Sequence, residues 1–162
     1  YGTGPDALEE RIIKKLAERG EKIVVAESCT GGLLAQKLTA VPGASAVFWG
    51  GWVTYDNEAK MELLDVSSQT LEEDGAVSER VAEQMVKGAL KGKTKTWALS
   101  LTGIAGPSGG SSEKPVGTVC FGLGHQDMIE AKTRHLGSWS REQIRLLSVH
   151  VALHWLRRHI GA

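Results

Sequence analysis

The sequence predicts an α/β three-layer sandwich, a mixed central sheet flanked by helices. Three observations carry that reading. Short apolar runs of strand length alternate with segments of helical period. The last two strand-like runs follow each other with no helix between them, so the sheet is mixed rather than all parallel. No repeat, low-complexity tract or linker interrupts the 162 residues, so residues 1–162 are taken as one domain with about 6–160 structured.

Each element has its own warrant. Asp6 to Gly20 reads as a helix because Leu8, Ile12 and Leu16 recur every fourth residue, with Asp6 as cap and Gly20 as stop. Lys22–Ala26 is short and rich in β-branched residues, as a buried strand requires. A helix from Thr30 ends before Pro42-Gly43. A short helix, glycines at 50 and 51, and a strand through Trp52, Val53 and Tyr55 follow. Asn57 is the expected cap of the next helix. Ser78 is that of the helix to Leu90, which stacks Val81, Met85 and Ala89 on one face. Residues 97–103 form a second buried strand opening into a loop of small residues, 103–112. Residues 117–124 and 131–136 are the adjacent strands, turning near Gln126-Asp127. The last helix runs from about Arg141 to His159, its apolar stripe with Trp155 serving either the core or a subunit contact.

Composition excludes several classes. Lys plus Arg equals Asp plus Glu at 19 each, and a chain with no net charge lacks the basic excess that nucleic-acid binding needs. A local basic pocket for one small phosphate stays open. No apolar run approaches bilayer length, so no membrane partner is expected. The charged amino-terminal helix is not a signal peptide, and the opening Y-G-T-G-P reads as a tag remnant or trimmed end. Cys29 and Cys120 lie far apart in unlike contexts, which suits a reducing cytoplasm better than a disulfide framework. The five His show no metal-ligand spacing, so neither a metal nor an organic cofactor is expected.

In open α/β sheets, sites form beyond the carboxyl ends of strands. Three such ends are chemically rich here: E-S-C-T-G-G, T-Y-D-N-E-A-K and L-T-G-I-A-G-P-S-G-G. Ser28 stands where a strand meets a helix start, beside backbone N–H groups of Cys29, Thr30, Gly31 and Gly32 that can hold an oxyanion. The same position suits a helix cap, by Ser28 or Thr30. A nucleophilic serine needs a base. No His falls at a strand end, whereas Lys60 does; burial would make its amine basic near neutral pH, with Tyr55 able to relay or orient the proton. Lys60 also reads as a solvated helix lysine. Cys29 is the rival nucleophile, since helix starts lower thiol pKa, but it lacks a His partner. The loop at 103–112 fails both the G-x-x-x-x-G-K-[ST] and the G-x-G-x-x-G tests. Its free N–H groups can still form an anion-binding concavity. Lys114, Arg141 and Arg145 are cations able to reach a phosphate, the two arginines one helical turn apart.

Taken in order, A-E-S-C-T-G-G-L-L-A, V-P-G-A-S-A-V-F, V-T-Y-D-N-E-A-K, G-A-V-S-E, L-T-G-I-A-G-P-S-G-G and E-K-P-V-G-T-V resemble the CinA carboxy-terminal domain family over about residues 6–160. The resemblance implies a metal-independent amidohydrolase that converts nicotinamide mononucleotide to nicotinic acid mononucleotide and ammonia. It further implies Ser28 as nucleophile, Lys60 as base, Tyr55 as assistant, and Thr102, Gly103 and Gly106 lining the pocket. A homo-oligomer is implied as well. The alternative reading is a nucleotide-binding regulatory module that uses the same pocket without hydrolysis. Two positions depart from the family pattern: Asp56 stands where Ser is common, and Ser108 where Gly is. Larger family members also carry an amino-terminal domain resembling molybdopterin-binding proteins, which these 162 residues do not include.

Overall fold

The computed structural model describes residues 7–162. The first strand, β1 (Lys22–Glu27), lies between β2 (Phe48–Val53) and β3 (Thr96–Gly103) and is parallel to both. The hairpin of β4 (Thr118–His125) and β5 (Met128–His135) extends the sheet antiparallel from β3. The order is β2-β1-β3-β4-β5, a mixed sheet. The hairpin turns at Gln126, which takes a left-handed φ of 54°.

Strand alternation sorts β1 between two helical layers. Ile23 and Val25 face the layer of α1 (Leu8–Arg19), α2 (Leu33–Thr39) and α6 (Arg141–Ile160), where Leu16, Leu34, Leu153 and Leu156 pack on them. Val24 and Ala26 face the layer of α3 (Asn57–Leu64), α4 (Ser68–Asp74) and α5 (Glu79–Leu90), against Leu64, Val81 and Met85. Each fully buried aliphatic side chain of this kind contributes about 1.5–3 kcal/mol. Trp155 belongs to the first of these cores rather than to the surface. Gly51 lets β2 approach β1, since a Cβ there would sit 2.6 Å from the Val25 side chain.

Several boundaries differ from the sequence reading. Asp6 lies outside the described residues, and α1 starts at Leu8 with no side-chain cap, while Gly20 does end it in left-handed conformation. The second helix starts at Leu33, not Thr30, because Gly32 at φ 99° turns the chain into it. The strand expected through Trp52 and Tyr55 is β2, which starts at Phe48 and stops at Val53, leaving Tyr55 in the connection. Asp56, not Asn57, caps α3 by accepting from the Glu58 N–H at 2.8 Å. Helix α4, capped by Ser67, is an additional element. Ser78 caps α5 as expected, and Ser140 with Gln143 forms a capping box on α6.

Candidate active site

The carboxyl ends of β1, β2 and β3 meet on one side of the sheet, and backbone hydrogen bonds hold their extensions in register. The Ser28 N–H donates to Leu101 O at 2.9 Å, and the Thr54 N–H donates to Glu27 O at 2.8 Å. Because α3 begins three residues after Thr54, the chain doubles back. Lys60, one turn into that helix, then points under the strand ends. Its side chain is 1% exposed.

Lys60 Nζ has three partners: Ser28 Oγ at 3.2 Å, Thr54 O at 2.9 Å and Tyr55 O at 3.4 Å. Among the described residues, no carboxylate forms an ion pair with it. Burial therefore lowers its pKa from the usual lysine value, with the Asp56 carboxylate opposing. An unprotonated amine has two N–H donors and one lone pair. In that unprotonated form the two carbonyls would take the donors, leaving the lone pair to accept from the Ser28 hydroxyl. This is the arrangement of a nucleophile and its base.

Ser28 is free for that role because another residue holds the helix start. The carboxylate of Glu27, fully buried, accepts from the Leu34 N–H at 2.8 Å and the Ala35 N–H at 3.0 Å. Neither Ser28 nor Thr30 caps α2. Sequence reading gave Glu27 no role of its own; the available signal was a carboxylate closing a buried strand just before a helix start. Arg145 braces the same turn, donating from Nε to Cys29 O at 3.2 Å and from Nη2 to Thr30 O at 2.9 Å.

Of the expected oxyanion donors, the Gly31 N–H is already engaged by Ser28 O at 3.0 Å. The N–H groups of Cys29, Thr30 and Gly32 have no partner among the described residues. Cys29 is 5% exposed, and burial pushes its thiol up to about 12, so it is a core thiol rather than a nucleophile.

The cavity over Ser28 and Lys60 measures about 200 Å³ and is lined by Tyr55, Thr102, Gly103 and Arg141 among others. Thr102 Oγ1 donates to Ala76 O at 2.8 Å, fixing that wall. The Tyr55 side chain is exposed, and its hydroxyl accepts from Arg141 Nη2 rather than meeting Ser28 or Lys60. Arg141 Nη1 also donates to Gly106 O at 2.8 Å, so one guanidinium ties both loops to α6. The other expected binders stand apart. Gly106 and Arg145 are not in the lining, and Lys114 lies in a neighbouring groove of about 420 Å³, its Nζ donating to Asp74 O at 2.6 Å. Among the described residues, no group of three or more His, Cys, Asp or Glu is placed to hold a metal ion.

The sequence profile of the CinA C-terminal domain matches residues 5–160. This chain belongs to the CinA C-terminal domain family. It is 49% identical over 161 residues to a CinA-like protein of Cyanothece sp., covering 99% of this chain and 38% of that relative. The chain thus spans about two fifths of the length of the curated relatives it matches. Among solved structures, it is similar to the competence/damage inducible protein CihA of Agrobacterium tumefaciens, with 40% identity, a TM-score of 0.90 and full coverage of both chains. It is also similar to a CinA superfamily protein of Klebsiella pneumoniae, with 34% identity, a TM-score of 0.89 and coverage of 95% and 96%. No helix among the described residues is long and apolar enough to cross a membrane.

Proposed function

We propose that this CinA-family chain is a Ser–Lys amidase that hydrolyses the carboxamide of nicotinamide mononucleotide. The observation that carries the reading is the buried, carboxylate-free Lys60 amine 3.2 Å from Ser28 Oγ. The family resemblance supplies the substrate. The cavity's size agrees with it: at about 200 Å³ it is smaller than sites that enclose whole ligands, so it takes the amide-bearing ring. The ribose phosphate then stays at the mouth, within reach of Arg141.

Neutral Lys60 accepts the Ser28 proton as Oγ bonds to the amide carbon and the carbonyl π electrons move to oxygen. The unengaged N–H groups of Cys29, Thr30 and Gly32 are the donors for that oxyanion, each such donor contributing about 2.7–4 kcal/mol in comparable sites. The Lys60 ammonium returns its proton to the amide nitrogen, the C–N bond breaks and ammonia leaves. Water then loses a proton to Lys60 and adds to the acyl carbon. Ser28 Oγ departs, reprotonated by Lys60, and the free acid is released. Tyr55 and Arg141 position the substrate at the rim.

Ammonia release from nicotinamide mononucleotide tests the proposal. Turnover by the intact chain should fall at least about 10³-fold in Ser28→Ala and in Lys60→Ala, as for loss of a nucleophile or its base. Log kcat/KM should rise with unit slope as pH climbs toward the lowered Lys60 pKa, then level. A chain that binds the nucleotide and releases no ammonia would be a binding module instead.

A further inference from the structure

A second groove lies between β5 and the carboxy-terminal half of α6, about 400 Å³ in volume. Lys132 and Arg134 reach it from the strand, and His150, His154, Arg157 and Arg158 from the helix. No carboxylate is in its lining, and among the described residues none of the four permanent cations forms an ion pair with an Asp or Glu side chain. The nearest strand acid, Glu130, sits 3.2 Å from His159 Nε2. The cations lean on weaker partners instead. Lys132 Nζ lies 4.1 Å from the Trp155 ring centre, and Arg134 donates to Thr133 O at 3.1 Å. Arg157 donates to Ala162 O at 3.1 Å, and its buried Nε has no partner at all. Three basic residues elsewhere are ion-paired, Arg80 with Glu73 and Asp74, Lys91 with Asp65 and Arg19 with Glu21; what sets this groove apart is that four cations share one concavity. On a chain of zero net charge, so many unpaired cations in one concavity focus a positive field and repel one another until an anion enters.

We propose that this groove is a second ligand site, taking a compact polyanion of the nucleoside di- or triphosphate class. A phosphate monoester carries about −1.5 to −2 charge, too little for four fixed cations, whereas two or three linked phosphates match them. The volume falls in the range of small-molecule sites, and Leu147 and Val151 offer an apolar wall for the uncharged part of the ligand. The site stands apart from the Ser28–Lys60 cavity on the same helix. No lining residue is shared, and Arg141 of the cavity and Leu147 of the groove are six residues, about 9 Å of helix, apart. The inference does not rest on the amidase reading.

Binding is coupled to protons. The His154 pKa is lowered by burial first, then by Arg157, His150 and Arg158. Lys132 and Arg134 face the groove from β5, and Glu130, outside its lining, pairs with His159. Glu9 of α1 and Lys37 of α2 lie in an adjoining groove that shares His150 and His154. A bound polyanion offsets the positive neighbours and raises the His154 pKa, so affinity increases as pH falls.

Calorimetry of the full chain with inorganic tripolyphosphate, and with ADP as competitor, tests this. One saturable site is expected, weakened by salt, displaced by ADP, unchanged in Ser28→Ala and at least 10-fold weaker in the Arg134→Gln, Arg158→Gln double variant. Both arginines are exposed, so the variant should melt with the parent. Near pH 7 the heat should vary with buffer ionisation, showing proton uptake. The proposal is overturned by no saturable heat at millimolar tripolyphosphate, by failure of ADP to compete, or by undiminished binding in the double variant. It is also overturned if Arg141→Ala abolishes binding, or if a single-stranded oligonucleotide binds where tripolyphosphate does not.

Discussion

Glu27→Gln is the perturbation whose cost follows most directly from the geometry. Each carboxylate oxygen of Glu27 serves its own backbone donor, Leu34 N–H at 2.8 Å and Ala35 N–H at 3.0 Å, in a fully buried site. The amide keeps one acceptor, and in either orientation its NH₂ faces the other N–H. Leaving that donor unmade costs about 1–3 kcal/mol, and the surviving bond loses its charge assistance, about 1 kcal/mol more. Removing a buried charge works the other way, which keeps the net near 2–3 kcal/mol. For a chain of this length, each kcal/mol moves Tm by about 2–4 °C, so Glu27→Gln should melt about 4–12 °C below the parent. Thermal denaturation followed by circular dichroism measures this, and hydrogen exchange at the Leu34 and Ala35 amides should quicken alongside. Turnover should fall too, since Ser28 is the next residue. A variant melting within 1 °C of the parent would refute the view that this carboxylate anchors the site.

Three further outcomes are expected. Lys60 binds fewer protons folded than unfolded between its lowered pKa and the ordinary value near 10.5. Stability should therefore rise with pH in that window, by up to about 1.4 kcal/mol per pH unit. Lys60→Met should remove that rise, as read from the parent-minus-variant Tm difference across pH 6–10. Cys29→Ala should keep turnover within about threefold, because the thiol is a packing group; a loss comparable to Ser28→Ala would reinstate it as nucleophile. Gly103→Ala would place a Cβ 2.8 Å from the Val119 side chain and 3.2 Å from Cys29 Sγ. Such overpacking should cost about 1–3 kcal/mol in denaturant unfolding and lower kcat by shifting the wall beside Ser28.

What could be read in the sequence, and what could not, divides along a physical line. The strands were legible because their two-residue alternation supplies both helical layers at once: Ile23 and Val25 belong to one core, Val24 and Ala26 to the other. The adjacency of β4 and β5 foretold the mixed sheet. The juxtaposition of Ser28 with Lys60 was approachable for a related reason: parallel strands β1 and β2 must place their carboxyl ends together, and a lysine soon after one end can reach a serine just after the other. Helix α4 was hidden because its S-Q-T-L-E-E-D sequence buries only Thr70 fully and so has no apolar period to read. Asp56 and Asn57 are adjacent residues of equal capping aptitude, so composition alone does not decide which caps α3. Glu27 was passed over, and Arg145 and Lys114 were expected at a phosphate, for one shared reason: each makes its hydrogen bonds with backbone atoms, Glu27 with N–H groups and the two cations with carbonyls. A side chain's type announces charged partners, but its use is set by which unpaired backbone groups the fold brings near. That consideration also separates the two arginines of α6. Arg145 is committed to the carbonyls of the turn it braces and lies outside the cavity lining, while Arg141, partnered by one carbonyl and one hydroxyl, stands at the cavity rim.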